Sequence, residues 1–274
     1  ADIVIATPGR MLDHMERKTV DLSSLRFFVL DEADRMLDMG FIDDIRRIES
    51  ACPKKKQALL FSATITDEIR HLSENFLDNP VNVTVGSQVD PRKLPQVYYD
   101  IKGSLKLSLL VHLLKEEKDS GLVMVFFNTR QYADIVASTL KKNDVDSMSI
   151  HGGLTQKKRE SVMKRFGSKK TFVLCCTDVA ARGLDISGVS HIYNYDIPND
   201  SKQYVHRIGR TARAGKSGIV VNLISDRDKD NFSRVFQDYD FDIKKVETPY
   251  VERVENVSNP ARKKGKGKRN FRRR

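Results

Sequence analysis

Short β-branched apolar runs alternate along the chain with stretches whose apolar residues recur at helical spacing. Strands are predicted over residues 2–6, 27–31, 58–62 and 81–85, then over 96–101, 122–128, 147–151, 172–177, 191–195 and 218–224. Two of them, Val123-Met124-Val125-Phe126-Phe127 and Phe172-Val173-Leu174-Cys175-Cys176, are apolar at every position. A strand buried on both faces reads this way, as in a parallel sheet covered by helices on each side. Over residues 131–142, Tyr132, Ile135, Val136, Thr139 and Leu140 fall on one helical stripe. A further helix is predicted to start at a Thr155 cap, bury Val162, Met163 and Phe166, and stop at Gly167. Strand–helix repetition of this kind predicts an α/β protein with parallel sheets.

The 274 residues suggest about two domains. The sequence breaks pattern at Gly86-Ser87-Gln88-Val89-Asp90-Pro91-Arg92-Lys93-Leu94-Pro95, which is polar and holds two prolines. The predicted division is therefore 1–86, a linker at 87–95, a second domain at 96–250 and a tail at 251–274. The first part has four predicted strands and opens directly in one, so it reads as the C-terminal half of a domain. No apolar run reaches the ~20 residues of a membrane span, and the start lacks a basic-then-apolar leader pattern. Cys52, Cys175 and Cys176 are odd in number, with two adjacent, which excludes a disulfide framework or a CxxC zinc site. They suit a reducing compartment, cytoplasmic or, in a eukaryote, nuclear.

The net charge of +11 points toward nucleic acid, but its location changes that reading. Residues 260–274 hold nine Lys and Arg and no acid, so the body is nearly balanced. Any basic groove on the body must come from local placement. The tail lacks periodicity and is expected to be disordered on its own, acting either as a salt-dependent nucleic-acid tether or as a solvated terminus.

Candidate chemistry lies at strand ends. Asp31-Glu32-Ala33-Asp34 follows an apolar strand, where ligands of open α/β sheets bind and where a carboxylate can hold Mg²⁺ against nucleotide phosphates. The same residues also suit a turn at Asp31 and a helix cap at Asp34. Ser62-Ala63-Thr64 ends another apolar strand, and its hydroxyls either bond to the acidic cluster or belong to a helix start. Thr177 to Asp185 follows the apolar run at 172–176, and His206 to Arg213 packs three arginines into eight residues. Arg207, Arg210 and Arg213, three apart, are predicted to share one helical face, facing either phosphate or solvent. The segment from Gly209 to Ser217 imitates a P-loop, but five residues separate its glycines and a strand follows it. Phosphate cradling needs strand, loop, then helix, so the segment is rejected; no GxxxxGK[ST] occurs in these residues.

Taken in order, Thr7-Pro8-Gly9-Arg10, the acidic cluster at 31–34, Ser62-Ala63-Thr64, Phe127-Asn128-Thr129-Arg130, His151-Gly152-Gly153 with Gln156 and Arg159, Thr177 to Asp185, and His206 to Arg213 resemble the DEAD-box ATP-dependent RNA helicases of superfamily 2. The resemblance spans residues 1 to about 240. It implies two RecA-like domains with parallel sheets flanked by helices, the first incomplete, followed by the disordered basic tail. It also implies ATP with Mg²⁺ as cofactors and RNA as partner. By resemblance Asp31 helps hold Mg²⁺, through water, and Glu32 orients the attacking water. Gly183 and Asp185 contact the nucleotide, and Arg210 and Arg213 reach the γ-phosphate. Asp34, Ser62, Thr64 and His206 couple the domains. RNA backbone is held by Thr7, Gly9, Arg10, Gly152, Arg159 and Thr177, with little sequence preference.

Two departures matter. Ala212 stands where many relatives have Gly, with little expected effect. The family's adenine-reading segment and P-loop are absent from these residues. The chain is thus expected to be a fragment, inactive alone, with an exposed sheet edge in its first part. The competing readings are a non-catalytic RNA clamp and a related DNA-translocating helicase.

Overall fold

The computed structural model describes residues 1–62, 65–83, 91–117, 121–181, 186, 188–211 and 218–254. The chain divides into two compact units, Ala1–Val85 and Gly86–Arg274.

The first unit runs α1 (Pro8–Glu16), β1 (Phe27–Leu30), α2 (Ala33–Asp38), α3 (Ile42–Ser50), β2 (Gln57–Leu60) and α4 (Asp67–Phe76). Pro8 sets the first helical φ of α1 without losing a needed N–H. Thr66 caps α4, its side chain accepting the Ile69 N–H. β1 and β2 pair in parallel, with Leu30 opposite Leu60. Alternation then decides burial. Phe28 packs with Leu12, Leu22 and Ile48, and Leu60 with Ile69 and Leu72. On the other face Phe27, Val29 and Phe61 are more than half exposed. The predicted strand at 2–6 does not form: its apolar residues pair with no described ladder, and Ile3 and Ile5 lie open to solvent. Val81, Asn82 and Val83 are likewise outside any strand, and residues 84 and 85 lie outside the described set.

The second unit continues with β3 (Gln96–Asp100), α5 (Lys106–Glu116), β4 (Leu122–Phe127), α6 (Arg130–Lys142), β5 (Ser147–Ile150), α7 (Gln156–Gly167), β6 (Val173–Thr177), α8 (Asp178–Ala181), β7 (Val189–Asn194), α9 (Ser201–Ile208), β8 (Ile219–Ile224), α10 (Lys229–Asp238) and β9 (Ile243–Lys245). Its described strands form one parallel sheet in the order β5-β6-β4-β7-β8-β3-β9. β4 is buried at every position, as its unbroken apolar sequence predicts. Leu122, Met124 and Phe126 face a core shared with Val162, Phe166, Tyr204 and Val235, on α7, α9 and α10. Val123, Val125 and Phe127 face Leu110, Leu114, Val136 and Leu140, on α5 and α6. Thr155 caps α7 as predicted, its hydroxyl accepting the Lys158 N–H.

Both sequence-derived boundaries of this unit shift. Leu94, assigned to the linker, is buried in the core because the backbone beside it already joins the sheet, Val220 N–H donating to Pro95. Val251 and Val254, assigned to the tail, pack on the other core face, where Val254 N–H donates to Ser108 Oγ. Residues 255–274, which carry the basic cluster, lie outside the described residues.

Gly121 precedes β4 at φ +110°, and a Cβ there would sit 2.8 Å from Ser190 Oγ. Gly121→Ala is expected to cost about 2 kcal/mol. That is a fall of roughly 4–8 °C in the melting temperature of the second unit, read by circular dichroism.

Candidate functional site

In the first unit the turn after β1 is built by continuing the ladder one step past the strands. Phe61 N–H donates to Leu30 O at 2.8 Å, and Ala33 N–H donates back to Phe61 O at 3.0 Å. These two bonds bring residues 31–34 beside Ser62 at the carboxyl ends of β1 and β2. Asp31 is exposed and accepts the Glu32 N–H at 2.9 Å. Glu32 takes a left-handed conformation, φ 52° and ψ 47°, and its carboxylate pairs with Arg35 at 2.9 Å. A non-glycine residue held there costs on the order of 1–3 kcal/mol, and such strain concentrates at functional turns. Asp34 is almost buried in the first turn of α2 and accepts the Arg35 N–H. It is not the cap; Glu32 occupies that position, without a side-chain cap bond. Ser62 is half-buried, and Thr64 lies outside the described residues.

Thr7, Gly9 and Arg10 open α1. Thr7 sits at the cap position in an extended conformation, but its side chain makes no cap bond, so N–H groups of the first turn stay open to an anion. Arg10 is exposed and pairs with Asp13. Gly9 has an ordinary φ, and a Cβ there would meet nothing within 4 Å. The same is true of Gly152 in the second unit. Neither glycine is demanded by a turn or by close packing among the described residues. A bare backbone with open space beside it leaves room for another molecule to approach closely.

In the second unit Gly152 lies between His151 and Gly153. His151 is buried; its Nδ1 accepts the Gly153 N–H at 3.1 Å and its Nε2 lies 3.0 Å from Asp134. This fixes the loop leading into α7, which carries Arg159. Thr177 is buried at the end of β6. His206 and Arg210 line a shallow hollow with Phe126, Asp178, Ala181, Gln203 and Arg207. Gly183, Asp185 and Arg213 lie outside the described residues.

Arg207 and Arg210 do not share a helical face. α9 stops at Ile208 with Gly209 as its C-cap, so Arg210 stands in the following turn. Arg207 points inward and is only 1% exposed. Its guanidinium grips Asp178 through both oxygens at 2.7 and 2.8 Å, donates to Asn194 Oδ1, Asp196 O and Asn128 Oδ1, and lies over the Phe126 ring. Burial pushes the Asp196 carboxyl above its usual range, opposed by Lys106 and by the Asn128 N–H it accepts. Sequence reasoning missed this hub. Its only signal was a set of polar residues, Asn128, Asp178 and Asn194, each just inside or just beyond an apolar strand end. Cys175 and Cys176 are fully buried and burial raises both thiols far above their usual range, so neither serves as a nucleophile. Among the described residues no group of three or more His, Cys, Asp or Glu is placed to hold a metal ion, and no helix is long and apolar enough to cross a membrane.

Residues 1–72 match the DEAD/DEAH box helicase model and residues 105–215 the helicase conserved C-terminal domain. The chain is 44% identical over 234 residues to DEAD-box ATP-dependent RNA helicase CshA of Bacillus cereus, covering 85% of this chain and 44% of that protein. It thus spans less than half the length of that relative. It also matches S. cerevisiae Dbp5 bound to RNA and ADP BeF3 at 33% identity and a TM-score of 0.76, over 89% of this chain and 65% of that one. A chain in the structure of E. coli DEAD-box protein SrmB bound to regulator of ribonuclease activity A matches at 37% identity and a TM-score of 0.54. That match covers 56% of this chain and 91% of that one. Motif order, parallel α/β architecture and these likenesses agree: the chain belongs to the DEAD-box helicase family.

Proposed function

We propose that these residues serve an ATP-dependent RNA helicase, which binds RNA backbone and separates short duplexes or remodels RNA–protein assemblies at the expense of ATP. The observation that carries this is the strand-end turn of the first unit, where a strained Glu32 stands beside an exposed Asp31 and is held against Ser62 by two ladder bonds. In this reading Glu32 orients the water that attacks the γ-phosphate. Asp31 would help hold Mg²⁺ through a water molecule, as suits an ion that keeps several of its waters. A bound Mg²⁺ held there would supply positive charge to offset that of the phosphates. Arg210 and Arg213 stabilise the charge that develops during transfer, and Gly183 and Asp185 hold the nucleoside. Asp34, Ser62, Thr64 and His206 transmit the nucleotide state between the units. Thr7, Gly9, Arg10, Gly152, Arg159 and Thr177 hold the sugar–phosphate backbone, which carries no base information.

The protein that carries this chain should hydrolyse ATP faster when RNA is added and should separate a short RNA duplex. Tight RNA binding with no turnover would replace the enzyme with the RNA clamp. The RNA surface has its own test, because Gly9 is helical and unpacked. Gly9→Ala should stabilise the first unit by about 0.5–1 kcal/mol. The same change should weaken RNA binding roughly tenfold, measured by fluorescence anisotropy, by removing one close backbone approach. A variant both more stable and equally tight would remove Gly9 from the RNA surface.

A further inference from the structure

The outward face of α7 carries charge that the described structure does not neutralise. Residues 156–170 hold seven Lys and Arg against one acid, Glu160. α7 buries Val162 and Phe166, so its 3.6-residue period sends Lys157, Ser161, Lys164 and Ser168 to the opposite side, with Arg165 beside them. All five are exposed, as is Lys170 just beyond the helix.

On other described helices several surface cations sit beside carboxylates, though Arg130, Lys141 and Lys142 of α6 do not. Asp13 takes both Arg10 and Arg17, Asp43 takes Arg46, and Asp226 takes Lys229. On α7 no cation has a carboxylate within ion-pair distance among the described residues. Glu160, four residues before Lys164, instead accepts from Gln156 at 3.0 Å. The first turn of α7 also holds Lys157, Lys158 and Arg159 and no acid, whereas the helix dipole favours acids there. This distribution does not serve the helix's own stability.

We propose that the outward face of α7 is an extension of the RNA path: a single strand held at Gly152 and Arg159 continues along Lys164, Arg165 and Lys170. This rests on the RNA reading of Gly152 and Arg159. Continuity in sequence supports it, since Gly152 lies just before the helix and Arg159 lies in its first turn. Arg159 is half-buried on the side nearer Val162, so the RNA strand would cross the helix to reach Lys164. Charge complementarity with a polyanion supports it too. The 12-residue helix is about 18 Å long, of which about 12 Å lies beyond Arg159. Hydroxyls at Ser161 and Ser168 intersperse the cations, as suits phosphate oxygens.

The test compares the intact 274-residue chain with its K164Q/R165Q/K170Q and R159A variants, binding single-stranded RNA of about 6 and about 25 nucleotides across a salt series. The triple variant should lose roughly tenfold in affinity for the long RNA, with the log-affinity against log-salt slope shallower by about 2, and keep its affinity for the short one. R159A should weaken both lengths. A triple variant that binds the long RNA as tightly as the parent overturns the extension while R159A still reports on the groove. Equal losses on both lengths also overturn it, because the face would then belong to the first contacts. If R159A changes neither length, the RNA reading beneath the proposal fails as well.

Discussion

Replacing Glu32 by Gln is expected to lower ATP hydrolysis by the protein that carries this chain roughly 10³-fold, within the range of 10²–10⁴ associated with a positioned proton acceptor. Gln keeps the length of the side chain and an oxygen that can still accept from Arg35, so the turn and its left-handed backbone persist. What disappears is the negative charge that, in the proposed function, draws a proton from the attacking water. The loss should therefore fall on kcat, and equally on kcat/KM, with RNA affinity unchanged. The alternative is that Glu32 only partners Arg35. An ion pair this exposed is worth about 1 kcal/mol or less, and Gln would then change turnover only a few-fold. Steady-state ATP hydrolysis at saturating RNA separates the two outcomes by two orders of magnitude.

The second large effect is structural. In an open α/β sheet, the crevice at the carboxyl ends where strand order reverses is the usual ligand position. Here the order reverses at β4, flanked by β6 and β7, and the protein's own Arg207 guanidinium fills that crevice. Arg207→Ala would leave the Asp178 carboxylate without its counter-ion and strip partners from Asn128 and Asn194. Breaking a buried pair by removing one member costs about 3–5 kcal/mol. Urea unfolding of the chain should show that loss in the transition of the second unit. Arg207→Lys should recover only part of it, because an ammonium cannot engage both Asp178 oxygens and the two asparagines at once. An unchanged midpoint for Arg207→Ala would return Arg207 to the set of arginines that face a ligand. The hub also explains how Arg210 is presented. With Arg207 clamped, α9 can end at Gly209 and the next residue turns out of the helix into the hollow.

Much of this was legible in the residues. β4 and β6 announce burial on both faces because no polar residue interrupts their apolar runs, and α6 and α7 follow from their stripes, α7 also from its Thr155 cap. The motif positions at strand ends follow once the strands are placed. Other features needed three dimensions. Residues 2–6 and 81–83 have strand-like sequences, but a strand exists only through its ladder, and no described neighbour pairs with them. β9 was missed because an edge strand with exposed Lys244 and Lys245 reads as a loop. Arg207 was read as one of three equivalent charges, since spacing alone cannot tell a guanidinium turned into the sheet from one turned outward. The open space around Gly9 and Gly152 is likewise invisible in one dimension: a glycine required by its turn and one with nothing packed beside it are the same letter.

In the proposed function Glu32 and Arg210 serve one chemical step. The direct measurement is ATP hydrolysis at saturating RNA by the protein carrying this chain, as Glu32→Gln, as Arg210→Ala and with both changes together. Groups acting as a unit on one transition state give a double variant little slower than the slower single one, within about threefold. If the two losses simply multiply, as for independent sites, the shared nucleotide is contradicted.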